Sequence, residues 1–162
     1  MRQIIFAVIA LVAFTFSANA QRISPNALGV RLGDHDGFGT EISYQRGLFE
    51  SNRLEFDLGW HSSDHYDAFR LTGLYQWVWT LDGNFNWYVG AGGGVAHVSF
   101  DDNFNDFNDD GETYIYGAGD IGIEYNFDIP LLLSLDFRPE FGFGNFNDDL
   151  DLDIALGIRY QF

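Results

Sequence analysis

The thirteen residues from Leu150 to Phe162 constrain this chain more tightly than any other segment. Leu150, Leu152, Ile154, Leu156, Ile158, Tyr160 and Phe162 alternate with Asp151, Asp153, Ala155, Gly157, Arg159 and Gln161. Successive side chains of a strand point to opposite faces. One face is therefore apolar from end to end, and the other is small, polar or charged. A half-buried strand of a water-soluble protein holds such a pattern over about five or six residues. This much longer run, ending on a phenylalanine, predicts a strand that crosses a bilayer, where about 9–11 tilted residues span the hydrocarbon.

The opposite end predicts export. Arg2 precedes an apolar run from Ile4 to Phe16, interrupted only by Thr15, and Ala18-Asn19-Ala20 supplies a small-residue cleavage site. Residues 1–20 are expected to be a secretory signal peptide, too short and wrongly flanked for a spanning helix. Residues 21–162 are then one mature domain. The chain has no cysteine, which argues against a lipid anchor after the cleavage site and against disulfide stapling. No other apolar run reaches the length of a spanning helix, so the mature chain spans as a barrel or not at all. Abundant Gly (19), Phe (17) and Tyr (8) beside only three Pro favour strands. The formal charge is −16, and all eight basic residues are arginine. That balance excludes a nucleic-acid partner, which needs a basic surface.

Turn signals cut the mature chain into eight alternating segments, at 26–33, 37–47, 53–63, 67–80, 84–100, 113–127, 131–143 and 150–162. The connections alternate in character. His35-Asp36, Ser63 to Tyr66, Asp101 to Glu112 and Asn145 to Asp149 are acidic. Phe49 to Asn52, Leu81 to Gly83 and Asp128 to Pro130 are compact. Short turns at one end and longer loops at the other are the asymmetry of an outer-membrane barrel with its loops outside the cell. An even strand count then places both termini in the periplasm. Leu54, Phe56, Leu58 and Trp60 share a face opposite Arg53, Glu55 and Asp57, and the other segments sort likewise. Aromatic residues gather at the segment ends, among them Tyr44, Trp77, Trp79, Trp87, Tyr125 and Phe127 at the turn end, where girdles belong. A secreted lipocalin-like barrel has the same strand count with the faces reversed. The glycines, mostly on the polar face, instead fit a narrow polar interior.

On this pattern, the signal peptide and Tyr160-x-Phe162, the chain resembles the small eight-stranded outer-membrane proteins of the OmpA/OmpX type. The resemblance implies an all-β, eight-stranded antiparallel up-and-down transmembrane β-barrel in the outer membrane of a Gram-negative-type bacterium, in contact with its lipid and lipopolysaccharide. It also implies recognition by the barrel assembly machinery through Tyr160 and Phe162. It says little about function, because such barrels range from anchors to adhesins and enzymes.

Strand parity places Arg31, Arg53, Arg70, Arg138 and Arg159 in the lumen with Glu41, Glu55, Asp57, Asp120, Glu124, Asp136, Glu140, Asp151 and Asp153. In a tube only wide enough for side chains, these groups should form a hydrogen-bonded ion-pair network. Arginine suits the role because its planar fork can hold several carboxylates. The expectation is a plugged barrel, with the surplus of carboxylates relieved by protonation, water or a bound cation.

Three constellations bear on chemistry. Asp106-x-Asn108-x-Asp110-Gly111 matches the first half of a calcium loop, but the closing glutamate is replaced by Gly117. Loose binding of calcium or magnesium, bridging to lipopolysaccharide phosphates, is left beside a merely solvated acidic loop. His35, His61, His65 and His97 map toward the loop end, but only His61 and His65 are closely spaced, and that spacing is weak off a helix. His97-Val98-Ser99 with Glu112 resembles the His-x-Ser and later Glu of outer-membrane lipid A deacylases. That resemblance implies His97 as base, Ser99 as nucleophile and Glu112 as orienting acid. Phe100 stands where that motif has Asn, and the motif lies on a different hairpin. The expectation is a monomeric, non-enzymatic barrel with no cofactor and a structural or surface-interaction role. An adhesin or a divalent-cation or lipopolysaccharide-binding barrel is the first alternative, and a deacylase-like enzyme the second.

Overall fold

The computed structural model describes residues 23–33, 39–62, 66–100, 112–143 and 150–162, with the side chains of Tyr66 and Phe100 left aside. The expected signal peptide lies outside them. Eight strands follow in order: β1 Asn26–Gly33, β2 Thr40–Gly47, β3 Asn52–Ser62, β4 Tyr66–Asp82, β5 Phe85–Phe100, β6 Glu112–Asn126, β7 Leu131–Phe143 and β8 Leu150–Gln161. Each pairs antiparallel with its neighbours, and β1 pairs with β8 to close a barrel. The expected segment ends agree within two residues, except that β2 begins at Thr40 rather than at 37.

The short connections explain themselves. Between β4 and β5, Asp82 pairs with Phe85 across a two-residue turn. Gly83 there has φ +51°, a left-handed conformation that a side chain disfavours. The register shifts between Thr80 and Asp82, so Leu81 is the extra residue of a bulge. The β2–β3 turn closes with Leu48 N–H donating to Asn52 O at 2.9 Å, and the β6–β7 turn with Phe127 N–H donating to Leu131 O at 3.0 Å.

Alternation sorts the side chains into two environments. Outward positions carry Leu28, Val30, Ile42, Leu58, Leu71, Ile121, Ile123, Leu135, Ile154 and Ile158, all exposed. Inward positions carry Arg31, Glu41, Arg53, Glu55, Asp57 and Arg138, all buried. The lipocalin arrangement is the reverse and is excluded. An apolar wall around a charged interior is stable only where hydrocarbon covers the wall. This is a transmembrane barrel.

Inward glycines make room for large neighbours. A Cβ on Gly122 would lie 2.4 Å from the Tyr88 ring, and one on Gly94 at the same distance from Tyr116. The outward glycines Gly73 and Gly117 lie beneath the rings of Phe56 and Phe143, so aromatic side chains from adjoining strands cover bare backbone on the lipid side.

Candidate functional site: the charged lumen and the loop-side rim

Five guanidinium groups occupy the lumen, and each reaches a carboxylate within 3.2 Å. Arg31 on β1 holds three. It donates to Asp136 Oδ1 from Nη2 at 2.5 Å, to Glu41 Oε2 at 2.9 Å and to Asp153 Oδ2 at 2.7 Å. Arg138 on β7 crosses the full width of the tube to β3, where Nη2 meets Glu55 Oε1 at 3.0 Å and Asp57 Oδ2 at 2.7 Å. Arg159 on β8 reaches Glu55 Oε2 at 3.1 Å and donates to the hydroxyls of Ser43 and Ser134.

Toward the loop end, Arg70 pairs with Glu140 and with Glu41 Oε1, the latter at 3.2 Å, and lies 5.2 Å from the Tyr116 ring centre. Tyr116 in turn shares a 2.5 Å hydrogen bond with Thr72. Toward the turn end, Arg53 pairs with Glu124 at 2.7 Å, donates to Gln76 Oε1 at 2.6 Å and lies 4.8 Å from the Tyr88 ring centre. Gln76 donates onward to Asp120 Oδ2 at 2.5 Å, and Asn86 to Glu124 Oε1 at 3.1 Å. Beyond this layer, Ala27, Val78 and Leu132 are buried.

The buried ledger is uneven. Five arginines face Glu41, Glu55, Asp57, Asp120, Glu124, Asp136, Glu140 and Asp153, all at least nine-tenths buried. Asp151, opposite Glu140 on the inward face, is less buried than the other carboxylates. It stands half-buried at the loop-side mouth, where its Oδ1 accepts from the Leu152 N–H at 2.8 Å and where β8 is still paired with β7 but has run past the described end of β1. Asp57 Oδ1, Asp120 Oδ1 and Asp136 Oδ2 have no protein hydrogen-bond partner. Buried carboxylate oxygens of this kind are suited to bound water.

Strand parity sets Thr72 and Gln76 on the face of Arg70, but the sequence did not single out the other neutral groups that connect the charges: Ser43, Gln45, Asn86 and Ser134, with Tyr88 and Tyr116. All are buried. Parity would have found them too, since Ser43 shares the face of Glu41, and Tyr116 that of Asp120.

At the loop-side rim the structure brings only part of the proposed triad together. Ser99 Oγ lies 3.3 Å from His97 Nε2, and His97 Nδ1 lies 2.8 Å from Thr113 Oγ1. His97 pairs across the sheet with Thr113, and Val98 with Glu112. Paired residues share a face, so Glu112 is on the side of the sheet opposite His97 and Ser99. The Nδ1 partner is a neutral hydroxyl, and the orienting acid expected of Glu112 is not there. Among the described residues no group of three or more His, Asp and Glu side chains is arranged to hold a metal ion. The calcium candidates Asp106, Asn108 and Asp110 lie outside the described residues, as do His35 and His65.

A closed eight-stranded barrel, apolar outside and ion-paired within, is the architecture of small outer-membrane barrels. Three such structures match with probability 1.00. The N-terminal β-barrel domain of Pseudomonas aeruginosa OprF has a TM-score of 0.66 at 14% identity, covering 85% of this chain and 96% of its own. Neisserial surface protein A gives 0.61 at 14% identity, covering 85% and 94%. Ail, the attachment invasion locus protein of Yersinia pestis, gives 0.54 at 14% identity, covering 86% and 100%, and has also been solved with the heparin analogue sucrose octasulfate. At this identity the likeness is one of fold. No family model matches the chain, and no curated protein does.

Proposed function

We propose that the protein is a monomeric outer-membrane barrel that is closed to diffusion and serves a structural or surface-interaction role through its acidic loop end, without a catalytic function. The carrying observation is the Arg138 bridge to Glu55 and Asp57, because it joins opposite walls of the tube. Arg31, Arg53, Arg70 and Arg159 add bridges above and below it. At the turn end, the space between Ala27, Gln45, Arg53, Glu124 and Leu132 has a volume of about 10 Å³, room for roughly one water. Reconstitution in planar bilayers is expected to give no stable conductance, and large, persistent open channels would overturn the closed reading.

In this reading the loops face outward, both termini face the periplasm, and Tyr160 and Phe162 serve recognition by the assembly machinery. The loop end is then a surface for cations, not for polyanions. Beyond the strands, residues 34–38, 63–65, 101–111 and 144–149 contain ten aspartates and no lysine or arginine. The described rim adds exposed Asp67 and Glu112. A sulfated ligand such as that bound by Ail does not fit this charge. Divalent cations bridging to lipopolysaccharide phosphates do, with Asp106, Asn108 and Asp110 as the densest oxygen donors. Titration calorimetry with calcium, comparing the full chain with one lacking residues 101–111, tests this. Binding should weaken on deletion, and no heat at millimolar calcium would remove the reading.

A further inference from the structure

The two ends of the barrel differ in how far their apolar surface extends. Among the described residues of β3–β6, the lipid-facing wall at the loop end stops at Trp60, Phe69 and Ile115, and the outward positions beyond them are polar, with Ser62, Asp67, Ser99 and Thr113; on β7 and β8 it reaches Phe143 and Leu150. At the turn end of β4–β8 it does not stop, whereas on β1–β3 it meets Asn26, Arg46 and Asn52. An aromatic belt runs around that rim: Trp79 and Trp87 stack with ring centres 4.7 Å apart, Phe85 meets Tyr125 at 4.7 Å, Tyr125 meets Phe127 at 4.7 Å, and Tyr160 stacks on Phe162 at 6.3 Å. Below the belt every turn tip carries a large apolar side chain open to its surroundings. Phe49 is 73% exposed, and Leu81 and Ile129 are each 61% exposed.

The local structure shows why these side chains are displayed. Leu81 is the bulge residue of its hairpin, pushed out of the ladder. Ile129 sits at the tip of a turn tied by the Leu131 N–H to Ile129 O bond at 2.6 Å. Phe49 projects from a turn whose N–H groups are held by Asn52 O and lines an open groove with Ile23 and Pro25. Each tip also carries one acidic residue, Glu50, Asp82 or Asp128, all exposed. An apolar and a charged group side by side on each tip match the boundary between acyl chains and headgroups, where the first is covered and the second stays wet.

We propose that the turn end is a lipid-docking surface: Phe49, Leu81 and Ile129 insert into the headgroup–acyl boundary of the nearer leaflet, so that this rim lies within the membrane and does not project beyond it. Lipid is the occupant because Leu81 and Ile129 continue the lipid-facing wall below Trp79 and Phe127 without a polar break, while Phe49 lies past the exposed guanidinium of Arg46, whose long stem can reach headgroups from an apolar surface. The inference rests on the membrane reading above.

The absence of cysteine allows a single nitroxide to be placed at Phe49→Cys, Leu81→Cys or Ile129→Cys, with Leu58→Cys on the mid-wall and Glu50→Cys on a tip as references. Each labelled full chain is refolded into phosphatidylcholine bilayers and checked for heat-modifiable mobility. Collision with dissolved oxygen, which concentrates in lipid, is then compared with collision with a water-soluble nickel chelate. The three tip labels should show an oxygen-to-nickel ratio nearer that at Leu58 than that at Glu50. Nickel access equal to that at Glu50 would overturn the inference. Shielding from both reagents would overturn it in favour of a second copy of the chain. If Leu58 itself collides freely with nickel, the membrane reading fails first.

Discussion

Arg138 shows what a buried charge in this lumen is asked to do. Its guanidinium lies between Glu55 and Asp57 with nothing exposed to water. The pair itself contributes modest net stability, since desolvation offsets much of the attraction, but removal of one partner strands the other. Arg138→Leu is therefore expected to lower stability by about 3–5 kcal/mol, read as a shift in urea unfolding in phospholipid vesicles. Arg46→Ala, at an exposed position, should stay within about 0.5 kcal/mol. Gly157 provides a steric counterpart. A Cβ there would sit 2.3 Å from Ser134 Oγ and 2.4 Å from Arg159 Nη1. Gly157→Val should cost about 1–3 kcal/mol in the same assay by displacing Arg159 from Ser43 and Ser134. A variant as stable as the parent would show that the guanidinium can move without loss.

Strands were the legible part of this molecule because a period of two is visible without any partner. β8 could be placed from its own alternation, and the same parity assigned Arg31, Arg53, Arg70, Arg138 and Arg159 to one face. Two kinds of information were not visible. Which carboxylate meets which arginine depends on the shear of the closed barrel, which no single strand encodes. The partner of His97 depends on register as well: a one-residue offset puts Thr113, not Glu112, beside it. A proline inside β7 gives the strands one irregular seam. Pairing between β6 and β7 runs through Ala118↔Glu140 and resumes at Ile121↔Phe137, while β7 stays paired with β8 through Pro139↔Leu152. Pro139 has no N–H to donate, and the β6 ladder is the one that lapses. Amide hydrogen exchange measured by mass spectrometry should be faster for 118–121 than for 122–125 on the same strand. Equal protection across both segments would mean that the seam is sealed by bonds absent from this register.

Charge in the molecule as a whole is sorted by depth. Acids crowd the loops, apolar side chains cover the wall, and in the lumen eight buried carboxyl groups outnumber five guanidinium groups. The proposed closure has two separable causes, the volume of the arginine stems and the pairing that holds them across the tube. The double variant Arg70→Ala/Arg138→Ala removes both at two heights, and leaves Glu41, Glu55, Asp57 and Glu140 without those partners. The freed space is lined by acid, so water and cations should enter together, as they do where carboxylates line a pore. Planar bilayers containing the double variant are expected to show a small, cation-selective conductance that the parent lacks. Retained heat-modifiable mobility confirms that the barrel is still folded. A folded double variant that stays silent, or one that favours anions, would mean that something other than this arginine network closes the tube.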